Sequence, residues 1–170
     1  MYLCQEDFIE GLIRLDKDSM ITYDKNSEKH RGIIYRSNIM YRILIVEDDQ
    51  VIGSAIKKHI ETWDCKGRCI DDYKQVLGEF VEFDPHLILM DISLPFFNGY
   101  HWCSEIRKVS KVPIIFISSA SDNFNIVMAV NMGGDDFIAK PFDLEVLTAK
   151  VQAMLRRTYD FSGQTGLLEH

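Results

Sequence analysis

From Tyr41 onward the chain repeats one pattern five times. An apolar, strand-like run is followed by a stretch with apolar residues at helical spacing. The runs are "YRILIV" (41–46), "GRCID" (67–71), "HLILM" (86–90), "PIIFIS" (113–118) and "DFIA" (136–139). Helices are predicted at 50–62, 72–81, 99–108, 122–131 and 143–157. The first carries Val51, Ile52, Ala55, Ile56 and Ile60, and the third places Trp102, Cys103 and Ile106 on one side. The last presents Leu144, Leu147, Val151 and Met154 for burial, with Asp143 as its N-cap. Strand–helix repeats of this kind predict an α/β fold: a parallel sheet with helices on both faces. The first, third and fourth runs are continuously apolar, as strands buried on both sides must be.

In such a sheet, ligands bind beyond the carboxyl ends of the strands. Glu47, Asp48 and Asp49 follow the first run, Asp91 ends the third, Ser118 and Ser119 end the fourth, and Lys140 and Pro141 follow the fifth. The stretch "LILMDISLPFFNG" (87–99) therefore carries a carboxylate to the tip of a buried strand, a costly place unless something satisfies it. A parallel sheet brings these residues to one rim. Clustered carboxylates raise one another's pKa unless a cation intervenes. Magnesium fits, because it needs few carboxylates and keeps waters that phosphate oxygens can replace. With Lys140 and a strand-four hydroxyl nearby, the rim can hold a carboxylate nucleophile that accepts a phosphoryl group. Singly, each residue has a plainer reading: Asp49 as a helix cap, a serine as a cap, Lys-Pro as a turn. Their order on successive elements carries the signal.

The net charge of −7 argues against this chain gripping nucleic acid by itself, since phosphate binding needs a positive face. No apolar run approaches the ~20 residues that span a membrane, and "MYLCQEDFIEG" lacks the character of a secretory signal. Both fit a cytoplasmic protein. Cys4, Cys65, Cys69 and Cys103 complete no zinc set and read as free thiols. Residues 1–39 break the pattern. "EDFIEGLIRL" reads as a short amphipathic helix, and "GIIYRSNIM" as a strand or linker. They form an extension, either without functional weight or packing as a small arm. The closing "LEH" looks like a tag remnant.

"ILIVEDD", "LILMDISLPFFNGY", "PIIFISSA" and "GGDDFIAKPF" resemble the receiver domain of bacterial two-component response regulators, over roughly 41–157. The resemblance implies a flavodoxin-like, doubly wound sheet of order 2-1-3-4-5. It implies that Asp91 is the phosphoacceptor, with a histidine kinase as donor. Asp48 and Asp91 would bind magnesium directly, Glu47 mainly through water, and Ser93 through its backbone carbonyl. Ser118 and Phe137 match the family's switch pair and Lys140 its phosphate-contacting lysine. The Lys140–Pro141 bond is expected to be cis. The wording around Asp91 is similar to regulators of peptide-antibiotic sensing systems. That class carries a C-terminal winged-helix DNA-binding domain, so 40–157 reads as the receiver and 158–170 as the start of a linker plus the remnant.

Two departures stand out. Ser119 occupies a position that is usually alanine, and Ile126 and Val130 are apolar on the helix through which this class dimerises. Asp135, Asp136, Lys150 and Arg157 are available for the charged pairs of a helix 4–strand 5–helix 5 homodimer. Ser93 and Ala120 sit where rate-tuning residues fall in the family. Three rivals read poorly. An aspartyl phosphatase would carry an acid at Ser93. A degenerate receiver would lack Asp91, Asp48 or Lys140. A nucleotide-binding module would need a glycine-rich loop after the first strand.

Overall fold

The computed structural model describes residues 8–9, 12–16, 19–22, 40–119 and 123–160. The chain divides into two compact units, Met1–Met40 and Tyr41–His170. In the first, strands Phe8–Ile9, Leu12–Asp16 and Ser19–Thr22 pair antiparallel, with a register irregularity between Arg14 and Asp16. This corrects the expected helix. Leu12 pairs with Thr22 and Ile13 with Ile21, so backbone pairing with a neighbouring strand takes the place of the helical spacing. Residues 32–39 of "GIIYRSNIM", Cys4, Ala120 and the tag-like end fall outside the described residues, as does the linker reading beyond Asp160.

The second unit is built on five parallel strands: β1 (Tyr41–Val46), β2 (Cys65–Cys69), β3 (Leu87–Asp91), β4 (Ile114–Ser118) and β5 (Asp136–Ala139). They lie in the order β2-β1-β3-β4-β5. Helices α1 (Gln50–Glu61), α2 (Val76–Phe83), α3 (Gly99–Arg107), α4 (Asn123–Asn131) and α5 (Leu144–Leu155) make the crossovers. Arg156–Asp160 continues as a wider π-helical turn.

Alternation along each central strand sorts side chains into two cores. Leu44, Val46, Ile88, Met90, Ile114 and Phe116 meet α2, α3 and the buried Ala129 of α4 on one face. Ile43, Ile45, Leu87, Leu89, Ile115 and Ile117 meet α1 and α5 on the other, through Ile56, Ile60, Leu147 and Val151. The strand cores are fully or almost fully shielded from water, which is why their sequence shows no polar alternation.

Two boundaries differ from expectation. β2 begins at Cys65 rather than Gly67, because Cys65 pairs with Tyr41 at the start of β1. It is an edge strand and tolerates the polar Lys66 and Arg68, so no apolar run announces it. Gly67 is where α1 packs tightly: a Cβ there would press on Lys57 and Ile60. Helix α2 starts at Val76 instead of 72, because 71–75 is tied up as a loop. Glu79 Oε1 accepts the amides of Asp71 and Asp72, and Asp72 Oδ1 accepts that of Lys74.

Candidate functional site

The carboxyl ends of β1, β3, β4 and β5 converge, and Glu47, Asp48, Asp91 and Lys140 arrive together there. Asp91 ends β3 with 4% of its surface exposed, and Glu47, just past β1, is equally buried. One carboxylate oxygen from each of Glu47, Asp48 and Asp91 lies within 4.8 Å of the other two. Lys140 reaches in from β5. Its Nζ is 2.8 Å from Asp91 Oδ2 and 2.7 Å from Glu47 Oε2. The Lys140 ammonium thus pairs with two of the three clustered carboxylates. Asp48 is exposed at the mouth of the site.

Burial pushes the Glu47 carboxyl above its usual range; the Lys140 bond opposes this and the Asp91 charge reinforces it. Burial pulls the Lys140 ammonium down, but its bonds to Asp91 and Glu47 prevail, and its net shift is upward. A second cation would relieve the surplus of negative charge. The donor set is all hard oxygen, which suits magnesium.

The loop after Asp91 is folded to hold its carboxylate still. The Ser93 amide donates to Asp91 Oδ1 at 3.1 Å, while the Leu94 and Gly99 amides both donate to the Ile92 carbonyl. A Cβ on Gly99 would collide with the Asp91 carbonyl, so glycine is required for this close approach. Asn98 then caps α3 by accepting the His101 amide. Phe97 stacks on His101 and meets Trp102 edge-on, so the buried Trp102 is coupled to this loop.

Asp49 takes the plainer of its two readings: its side chain accepts the amides of Val51 and Ile52 as the N-cap of α1. Ser118 is fully buried, and its carbonyl accepts the Lys140 amide at 2.8 Å. Phe137 is half-buried on β5 beside Phe116, packed against the α2–α4 core rather than at the carboxylates. Lys140–Pro141 is cis. Asp143 caps α5, whose Leu147, Val151 and Met154 are buried, but Leu144 is only half so. Val51 and Ala55, expected to pack, are instead exposed. With Ile52, Pro141, Phe142 and Leu144 they line an open groove of about 500 Å³ beside Lys140.

Three of the four charges reserved for a dimer face are engaged in ion pairs within the chain. Asp136 pairs with Lys150 at 2.8 Å and Asp135 with Arg107 at 2.8 Å. Sequence reasoning missed Tyr73, whose hydroxyl donates to the Glu47 carbonyl at 2.8 Å, a contact that links positions 26 apart and has no local signature. Among the described residues, Cys65, Cys69 and Cys103 are free thiols, and no helix is long and apolar enough to cross a membrane.

The response regulator receiver domain family matches residues 43–152. The chain is 49% identical over 120 residues to the uncharacterized transcriptional regulatory protein YvcP of Bacillus subtilis, covering 71% of this chain and 51% of that protein. It is 42% identical over 125 residues to the sensory transduction protein BceR of Halalkalibacterium halodurans, covering 74% and 54% respectively. The chain therefore spans about half the length of the curated relatives it matches. Among solved structures, the N-terminal domain of the nisin resistance regulator NsrR is 51% identical, with a TM-score of 0.64, covering 68% of this chain and 98% of that one. The BeF3-activated receiver domain of Klebsiella pneumoniae RstA is 28% identical, with a TM-score of 0.65 and the same coverage.

Proposed function

The chain belongs to the response regulator receiver domain family, and from that premise we propose that Asp91 accepts a phosphoryl group from a sensor histidine kinase. One observation carries this reading: Asp91 is buried at a strand tip, with Oδ2 on Lys140 Nζ and Oδ1 on the Ser93 amide, beside Glu47 and Asp48. The carboxylate is preorganised, and an aligned nucleophile removes much of the entropic barrier to transfer. An Asp91 oxygen forms the new O–P bond as the P–N bond to the donor imidazole breaks, and the imidazole leaves with the electron pair. Lys140 can then move from a carboxylate oxygen to a phosphoryl oxygen, and the Ser118 hydroxyl serves as a further donor.

Asp48 and Asp91, with Glu47 through water and the Ser93 carbonyl, are the groups that would hold magnesium. Bound there, the ion offsets the charge of the carboxylates and of the phosphoryl oxygens. The same rim supports slow hydrolysis of the acyl phosphate, so the domain acts on itself and on no external substrate.

Ser118 ends the β4–β5 pairing opposite Ala139, and Phe137 lies two pairs back, opposite Phe116. A phosphoryl group that draws Ser118 toward the rim would bias Phe137 between two packings, a population shift rather than a new fold. In the full-length protein this bias would reach a winged-helix DNA-binding domain through the segment after 157 and so regulate transcription in the cytoplasm. Residues 1–39 are read as an extension outside this switch. Dimerisation through α4, β5 and α5 is the proposed readout. Labelling by acetyl phosphate tests the chemistry. Incorporation should require magnesium and vanish with a chelator; incorporation indifferent to the metal would contradict the site as assigned.

A further inference from the structure

We propose that His86 is a pH-sensitive latch. While its ring is neutral it holds the terminal turn Arg156–Asp160 against the base of the sheet, and protonation of the ring releases that turn. The latch lies just before β3, at the opposite end of that strand from Asp91. His86 clasps one residue of β1 twice. Its amide donates to the Arg42 carbonyl at 2.8 Å, and its Nδ1 accepts the Arg42 amide at 3.0 Å. Its own carbonyl accepts the Tyr159 hydroxyl at 2.8 Å, which ties in the terminal turn. The ring stands edge-on to both Tyr41 and Tyr159, at 5.4 Å from each. The two tyrosine rings are 5.7 Å apart, closing a three-ring cluster.

An Nδ1 that accepts an N–H bond must carry a lone pair, so the ring proton sits on Nε2. Protonation places a second N–H on Nδ1, directly facing the Arg42 amide. One hydrogen bond becomes a donor–donor repulsion, and the ring must turn away. That motion breaks the edge-on packing with Tyr159 and strains the carbonyl that Tyr159 grips.

The surrounding charges do not rescue the imidazolium. Arg42 on β1 faces the ring, and its guanidinium is bonded to Asp84 at 2.7 Å. Lys111 and Thr158 line the same cavity of about 400 Å³ as His86 and Tyr159. Asp84 is the acid in this group and is already engaged by Arg42. Burial lowers the His86 pKa, the Arg42 charge lowers it further, and Asp84 opposes this only in part. Burial also pushes the Tyr159 phenol up, so it stays a hydroxyl donor throughout. A histidine lowered in this way stabilises the fold fully above its ordinary value of 6.5 and loses that contribution as pH falls through its lowered one.

Hydrogen exchange on the full chain, corrected for intrinsic rates, tests the latch at about pH 7.5 and about pH 5.5. Protection of the 156–160 amides should fall at least about fivefold at the lower pH. His86→Asn keeps an acceptor for the Arg42 amide but cannot titrate, so it should abolish the fall. An equal fall in His86→Asn, or no fall in the wild type, overturns the latch. Should His86→Asn fail to fold, two measurements stand in its place. Tyr159→Phe should already show lowered protection at the higher pH. In the wild type, the His86 ring should titrate below 6.5 by NMR, with the Tyr159 ring signals moving in step. A higher midpoint, or an unmoved Tyr159, overturns the proposal equally.

Discussion

Lys140 bridges two buried carboxylates, so its loss leaves Glu47 and Asp91 without their counter-charge. Lys140→Ala should nevertheless fold on the intact sheet, and it should lose the switch response more than the adduct. Sedimentation with beryllofluoride reads the switch response, and intact mass after acetyl phosphate reads the adduct. Asp48 is the exposed carboxylate of the three, and Asp48→Asn removes a hard anionic oxygen without disturbing the core. It should weaken magnesium binding at least about tenfold, followed by Trp102 fluorescence through the Phe97 contact. Unchanged affinity would remove Asp48 from the site. Much at this scale was legible in the sequence. Glu47, Asp48, Asp91 and Lys140 could be placed on one rim because a parallel sheet forces strand ends together. Tyr73 could not, because its partner is a backbone carbonyl far away in sequence. The roles of Asp49 and Gly99 emerge only in the folded chain: one caps α1, and the other lets the loop pass against the Asp91 carbonyl.

The elements were readable where burial imposes a pattern and obscure where it does not. β1, β3 and β4 are shielded on both faces and announce themselves as apolar runs. β2 lies at the edge, mixes cysteine with lysine and arginine, and was displaced by two residues in the sequence reading. Helix α1 shows a converse failure: Val51 and Ala55 keep the helical apolar spacing but face the open groove beside Lys140. An apolar surface beside Lys140 would suit contact with the proposed phosphoryl donor. Val51→Glu should therefore slow transfer from the kinase about tenfold while leaving labelling by acetyl phosphate unchanged. Equal slowing of both would mean that the substitution damages the site itself. Between α3 and β5, Arg107 donates to the Gly133 and Val112 carbonyls and pairs with Asp135. Removing it takes a donor from two part-buried carbonyls, so Arg107→Ala should cost about 2 kcal/mol in urea unfolding.

Within the Tyr41–His170 unit, the two-sided core makes a stiff frame, with the acidic rim at one end of the strands and His86 with the turn Arg156–Asp160 at the other. Asp136–Lys150 and Asp135–Arg107 close as pairs within one chain, so a dimer through α4, β5 and α5 would have to share or exchange them. The exposed Ile126, Val127 and Val130 of α4 offer apolar contact there instead. Dimerisation of the beryllofluoride-bound protein should therefore survive high salt better than one resting on ion pairs; dissociation as salt rises would return the interface to charge. Whether Asp91 is the phosphoacceptor is decided by intact-mass measurement with acetyl phosphate and magnesium. The wild type should gain one phosphoryl group, and Asp91→Asn, which keeps the shape but not the anionic nucleophile, should gain none. An adduct persisting at wild-type level in Asp91→Asn would contradict the account.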